Sequence, residues 1–103
     1  MTKIILDQAT CRDTLNTAQK AVLIVFKELC PHCRNMEKVL EKFTATHPDV
    51  AVYGLDIEKN AEVAAELGAS RAPTLLVVKE GQIRAVKAGL MNPREFKVFF
   101  DQA

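Results

Sequence analysis

Cys30-Pro31-His32-Cys33 is the segment of this 103-residue chain whose residue types and spacing could do covalent chemistry. Two thiols three positions apart can close a small disulfide ring, or they can supply half of a metal site. The context favours redox chemistry, because the pair follows an apolar run, Ala21 to Phe26, and precedes a helical stripe of Met36, Val39, Leu40 and Phe43. With Cys30 at the helix N-cap, Pro31 takes the first helical position, where its missing N–H costs nothing, and Cys33 is the third helical residue. A thiolate at that cap accepts hydrogen bonds from the free N–H groups of His32 or Cys33, and the helix dipole lowers its pKa from about 8.5. A protonated His32 acts in the same direction.

Cys30 is therefore expected to be an exposed, activated nucleophile, and Cys33 a partly buried resolving thiol of higher pKa. In the resulting cycle Cys30 attacks a substrate disulfide, a mixed disulfide forms, and Cys33 displaces the substrate to leave Cys30 and Cys33 oxidised. Stabilising the Cys30 thiolate stabilises the reduced dithiol, so the pair should be comparatively oxidising. A zinc site would need a second clustered pair of ligands, with His32 or His47 completing it, and the chain has none; neither metal nor cofactor is expected. Cys11 reads as a small apolar residue sharing a helix face with Leu15 and Ala18, a regulatory thiol being the alternative.

The elements that must hold these residues alternate. Ile4 to Leu6 reads as a strand, followed by a helix capped by Asp7 or by Thr10 with Asp13, ending near Gln19 or Lys20. Ala21 to Phe26 has the continuous apolar pattern of a strand covered on both faces and should be central. The helix after Cys30 should stop by His47-Pro48. Val50 to Ile57 is a third strand, and Asn60 caps a short helix with Val63, Ala64 and Leu67 inward, ended by Gly68. Thr74 to Val78 and Ile83 to Val86 form a hairpin around Glu80-Gly81. Asn92-Pro93-Arg94-Glu95 opens a last helix whose Phe96, Phe99 and Phe100 face the core. The order β-α-β-α-β-α-β-β-α predicts one α/β domain over residues 1–103 with a mixed sheet. The charges at Glu58-Lys59 and Lys79-Glu80 read as solvated faces.

Fourteen basic against thirteen acidic side chains leave a formal charge of +1, which offers no broad attraction to nucleic acid or anionic lipid. The first residues carry only three consecutive apolar side chains before Asp7, short of a signal peptide, and nothing approaches a membrane span. A cytoplasmic monomer without nucleic-acid or membrane partners is expected.

Four landmarks resemble the thioredoxin family across nearly the whole chain: Cys30-Pro31-His32-Cys33, Ala72-Pro73-Thr74, Lys79-Glu80-Gly81 and Gly89. The resemblance implies a thioredoxin fold, a five-stranded mixed sheet of order 1-3-2-4-5 flanked by four helices, with a cis bond at Pro73 facing the cysteines. It further implies that Ala72 offers its backbone to extended substrate by strand addition. Leu29, Pro31, Ala72, Pro73 and Gly89 would then line a substrate groove. Protein disulfides would be the substrates and a flavoprotein thioredoxin reductase the electron donor. The chain departs from the family pattern at three positions. Leu29 stands where thioredoxins usually carry tryptophan, Ile24 replaces the buried aspartate, and Gly54 replaces its lysine partner. Protons must reach Cys33 by another route, with His32, Glu28 and water as candidates. The Pro-His dipeptide resembles that of periplasmic disulfide-introducing oxidases rather than the usual Gly-Pro. The expected function is thus a thiol–disulfide oxidoreductase reducing protein disulfides. The alternatives are a redox-switched binding module without turnover and a disulfide-introducing oxidase or isomerase.

Overall fold

Seven residues, Lys20–Phe26, form strand β2, and five of them are fully buried because helices cover both faces of the sheet at this position. In the computed structural model, which describes residues 1–103, β2 lies at the centre of a five-stranded sheet. The other strands are β1 (Lys3–Leu6), β3 (Ala51–Asp56), β4 (Thr74–Lys79) and β5 (Gln82–Ala88), in the order β1-β3-β2-β4-β5. β3 runs parallel to both β1 and β2, whereas β4 is antiparallel to β2 and to β5. The expected mixed sheet and its strand order are therefore present.

Alternation along β2 divides the core in two. Ala21, Leu23 and Val25 join Leu6, Cys11, Leu15, Val63 and Leu67 on the face covered by α1 (Cys11–Thr17) and α3 (Ala61–Glu66). Val22 and Ile24 join Met36, Leu40, Phe43, Phe96 and Phe100 on the face covered by α2 (Pro31–Thr46) and α4 (Pro93–Gln102). Cys11 is fully buried among the first set.

Several local expectations are corrected. α1 stops at Thr17 rather than near Gln19 or Lys20, because the chain is already extended at Ala18 and enters β2 at Lys20. The Thr10–Asp13 cap does not form; Asp7 Oδ1 instead accepts from Ala9 N, Thr10 N and Thr10 Oγ1, and Thr10 Oγ1 accepts from Asp7 N. Asn60 precedes α3 but does not cap it through its side chain. Its Oδ1 accepts from Gln8 N at 2.9 Å and its Nδ2 donates to Asp56 O at 3.0 Å, tying the α1 approach to the end of β3. Lys79 is not a solvated charge: its Nζ donates to the carbonyls of Phe100 and Ala103, closing the C-terminal end of α4. The capping box at Asn92 and Glu95 is complete, as its sequence predicts.

The β4–β5 turn is fastened to the loop before β2 by Glu80 N to Gln19 O and Gly81 N to Ala18 O, both 2.8 Å. Gly81 sits at φ +74°, and a Cβ there would come within 2.3 Å of Asn16 O. Gly81→Ala is expected to lower stability by about 1–3 kcal/mol, through the left-handed backbone and the clash together. Gly89→Ala, at φ +99° with no atom within 4 Å of the added methyl, isolates the backbone part alone. Urea unfolding midpoints check this, and equal losses in the two variants would remove the steric half of the argument.

Candidate active site

Three adjacent strands end together at one edge of the sheet and assemble the site. β2 runs out at Phe26 into the loop that carries Cys30, its neighbour β4 begins at Thr74 opposite Val25, and β5 ends at Ala88 opposite Thr74. The loops bearing Cys30, Pro73 and Gly89 therefore emerge side by side. Ala72–Pro73 is cis, Pro73 is buried, and Gly89 N donates to Pro73 O at 2.8 Å, which joins two of the expected groove residues directly. Thr74 Oγ1 donates to Arg71 O at 2.6 Å and fixes the approach to that bond.

Cys30 is the N-cap of α2, with extended backbone at φ −113° and ψ 103°, and Pro31 occupies the first turn. Cys33 N donates to Cys30 Sγ at 3.3 Å, so sulfur takes the place of the usual capping oxygen. Both thiols are free. Contrary to expectation, Cys30 is not exposed but only 6% accessible, because capping turns its side chain inward over the first turn. The exposed residues are its neighbours: Leu29 at 87%, held at φ +55°, with Pro31 and His32 following it. Cys33 is 3% exposed. Burial, and then its hydrogen bond with Cys30, push its thiol up to about 11, while the Lys27 backbone N–H pulls the other way.

The arrangement can therefore present one sulfur to a helix N-terminus and keep a second, protonated sulfur beneath it, which is what two-step disulfide exchange requires. His47 does not join this group. It lies at the other end of the 16-residue α2, stacked on Phe43 with ring centroids 4.0 Å apart. The largest cavity, about 370 Å³, is also remote, being lined by Met1, Ile4, Ala45 and Pro48.

Ile24 and Gly54 are register partners across β2 and β3, on the sheet face under α2. The space over Gly54 is filled by Ile5, Phe26 and the stem of Lys3. Lys3 Nζ pairs with Glu37 of α2 and lies 4.5 Å from the centre of the Phe26 ring. Sequence reasoning missed this pair: its members are 34 positions apart, and no local pattern relates them.

The sheet order, the four helices and the capping dithiol define a protein of thioredoxin fold with a Cys-x-x-Cys site. The family model for thioredoxin matches residues 2–102, and the chain belongs to the thioredoxin family. Thiol–disulfide oxidoreductase chemistry is the general activity that this membership supports. Among solved structures, reduced desulfothioredoxin from Desulfovibrio vulgaris Hildenborough superimposes with a TM-score of 0.84 at 39% identity, covering all of both chains. Thioredoxin-1 of Saccharomyces cerevisiae is 31% identical over 91 residues, 88% of this chain and 82% of its own. A disulfide bond formation protein of Brevibacillus choshinensis is 29% identical over 83 residues, 79% of this chain and 70% of its own. No helix is long and apolar enough to cross a membrane.

Proposed function

We propose that this chain is a protein disulfide oxidoreductase of thioredoxin type that cycles Cys30 and Cys33 between dithiol and disulfide, at a comparatively oxidising potential. The observation that carries the reading is the Cys33 N–H directed at Cys30 Sγ from 3.3 Å at the N-terminus of α2. A hydrogen bond to sulfur strengthens when the sulfur is charged, so this contact favours the thiolate that attacks. Cys30 is the nucleophile, Cys33 the resolving thiol, and His32 a cation next to the reacting sulfur when protonated. Leu29, Pro31, Ala72, Pro73 and Gly89 form the wall against which an extended substrate chain lies. Ala72 is the residue that offers its backbone there. Protein disulfides are the substrates, a thioredoxin reductase recharges the pair, and the protein acts as a cytoplasmic monomer. The name of the Brevibacillus relative, disulfide bond formation protein, agrees with a poise towards oxidation.

The test is equilibration with glutathione at pH 7. The pair should stand well above the roughly −270 mV of a strong reductant, in the range of about −180 to −230 mV. His32→Pro should lower the potential, because it removes the cation that favours the reduced form. A potential near −270 mV that His32→Pro leaves unchanged would reduce His32 to a bystander and defeat the oxidising assignment.

A further inference from the structure

The resolving step needs a group to take the Cys33 proton. Cys33 is nearly inaccessible and holds its proton far above neutral pH, yet it must attack as a thiolate. Two titratable neighbours in the sequence are exposed to solvent, whereas Cys33 is buried. Glu28 is largely exposed and faces Lys59 at 3.7 Å, and His32 is on the outer side of the first turn of α2. Asp56, buried at the end of β3, spends Oδ1 on the amides of Glu58 and Lys59.

Glu37 is placed differently. It follows Cys33 by four residues on α2, hence on the same side of the helix, and long helical side chains lean back towards the N-terminus. Its carboxylate is one of the charges acting on the Cys33 sulfur. It is paired with Lys3, which reaches it from β1, and with side chains 22% and 27% exposed this is the most sheltered of the six ion pairs. Gly54 eases the route of Lys3. A Cβ there would stand 3.0 Å from Ile5 Cδ1, 3.1 Å from Phe26 Cε1 and 3.2 Å from Lys3 Cδ, tight enough that these side chains would have to shift.

We infer that Glu37, positioned by Lys3, accepts the Cys33 proton in the resolving step, an inference that rests on the function proposed above. The Cys33 S–H bond breaks and its proton passes to the Glu37 carboxylate, directly or through one water. The Cys33 sulfur attacks Cys30 Sγ of the mixed disulfide, and the Cys30–substrate S–S bond breaks with its electron pair leaving on the substrate sulfur, which is then protonated. Over the whole cycle two protein thiols become one disulfide and one substrate disulfide becomes two thiols.

Stopped-flow reaction of the reduced full chain with dithiobis-nitrobenzoate separates the steps, since Cys30 releases the first thionitrobenzoate and Cys33 the second. The first release is the internal standard. Glu37→Gln is expected to slow the second release on the order of tenfold at neutral pH, less than the roughly hundredfold of a fully enclosed general base, and to make it rise more steeply with pH. Acting through its field alone, the carboxylate would have the opposite signature. Its charge raises the Cys33 pKa, so removing it would speed the second release. A second release that is unchanged or faster in Glu37→Gln overturns the inference. Lys3→Met should slow the same phase less and Lys3→Arg should restore it; a wild-type rate in Lys3→Met overturns the positioning role. Absence of the first release in the wild-type chain would instead overturn the reading of Cys30, and the inference with it.

Discussion

Cys30→Ser is expected to abolish catalysed reduction of a protein disulfide, by about a thousandfold or more, the scale of loss when a covalent nucleophile is removed. The hydroxyl keeps the capping position but is not a thiolate at neutral pH, so no mixed disulfide forms. Cys33→Ser should behave differently. The first attack survives, the intermediate cannot resolve, and a covalent adduct with the substrate accumulates, visible by mass spectrometry as one substrate per chain. The contrast follows from the geometry, since the sulfur at the cap receives the Cys33 N–H while the other lies one turn deeper. A covalent adduct that accumulates in Cys30→Ser and is absent in Cys33→Ser would mean the roles are exchanged. A wild-type chain that forms the adduct but never turns over more than once would be a redox-switched binding module instead.

The largest loss of stability is expected at Phe96. Its side chain is fully buried, packed edge-on to Phe43 with ring centroids 5.0 Å apart, and flanked by Phe99 and Phe100. Phe96→Ala should cost about 3–5 kcal/mol, a transfer loss plus the cavity left in a core that only partly relaxes. Set against a total of roughly 5–15 kcal/mol for a folded domain, that is a large fraction. The melting temperature should fall by about 4–8 °C for each kcal/mol lost. Phe96 carries this weight because α4 holds α2 against the sheet: Phe100 lies 4.9 Å from Phe43, and Met91 N donates to Met36 Sδ at 3.5 Å. A loss below about 1 kcal/mol would show that the aromatic cluster repacks around the gap and does not clamp the helix.

Features written in short stretches of chain were legible without coordinates. The apolar run Ala21 to Phe26 identified the central strand because burial on both faces removes alternation. Asn92-Pro93-Arg94-Glu95 identified a helix start because the cap, the proline and the returning carboxylate all act within one turn. The placement of Cys30 at a cap follows from Pro31 in the same way. Illegible features depend on contacts between distant residues. The Lys3–Glu37 pair joins β1 to α2 across a space left by Gly54, and no periodicity encodes it. Lys79 looks like a surface charge until the last turn of α4 arrives to accept its hydrogen bonds. The low exposure of Cys30 is not written in the motif, because a cap can activate a sulfur while turning it inward and leaving Leu29 outside.

Cys30 and Cys33 lie at the first turn of the 16-residue α2 and its aromatic clamp at Phe43 near the last, about 15–20 Å away at 1.5 Å per residue. Changes at sites that far apart combine nearly independently. The dipeptide Pro31-His32 touches none of the rings that hold Phe43, so its replacement leaves the anchorage of the helix intact. Under the proposed function, substitutions confined to these two exposed positions would alter electron affinity at one end of the helix while leaving foldability at the other end untouched.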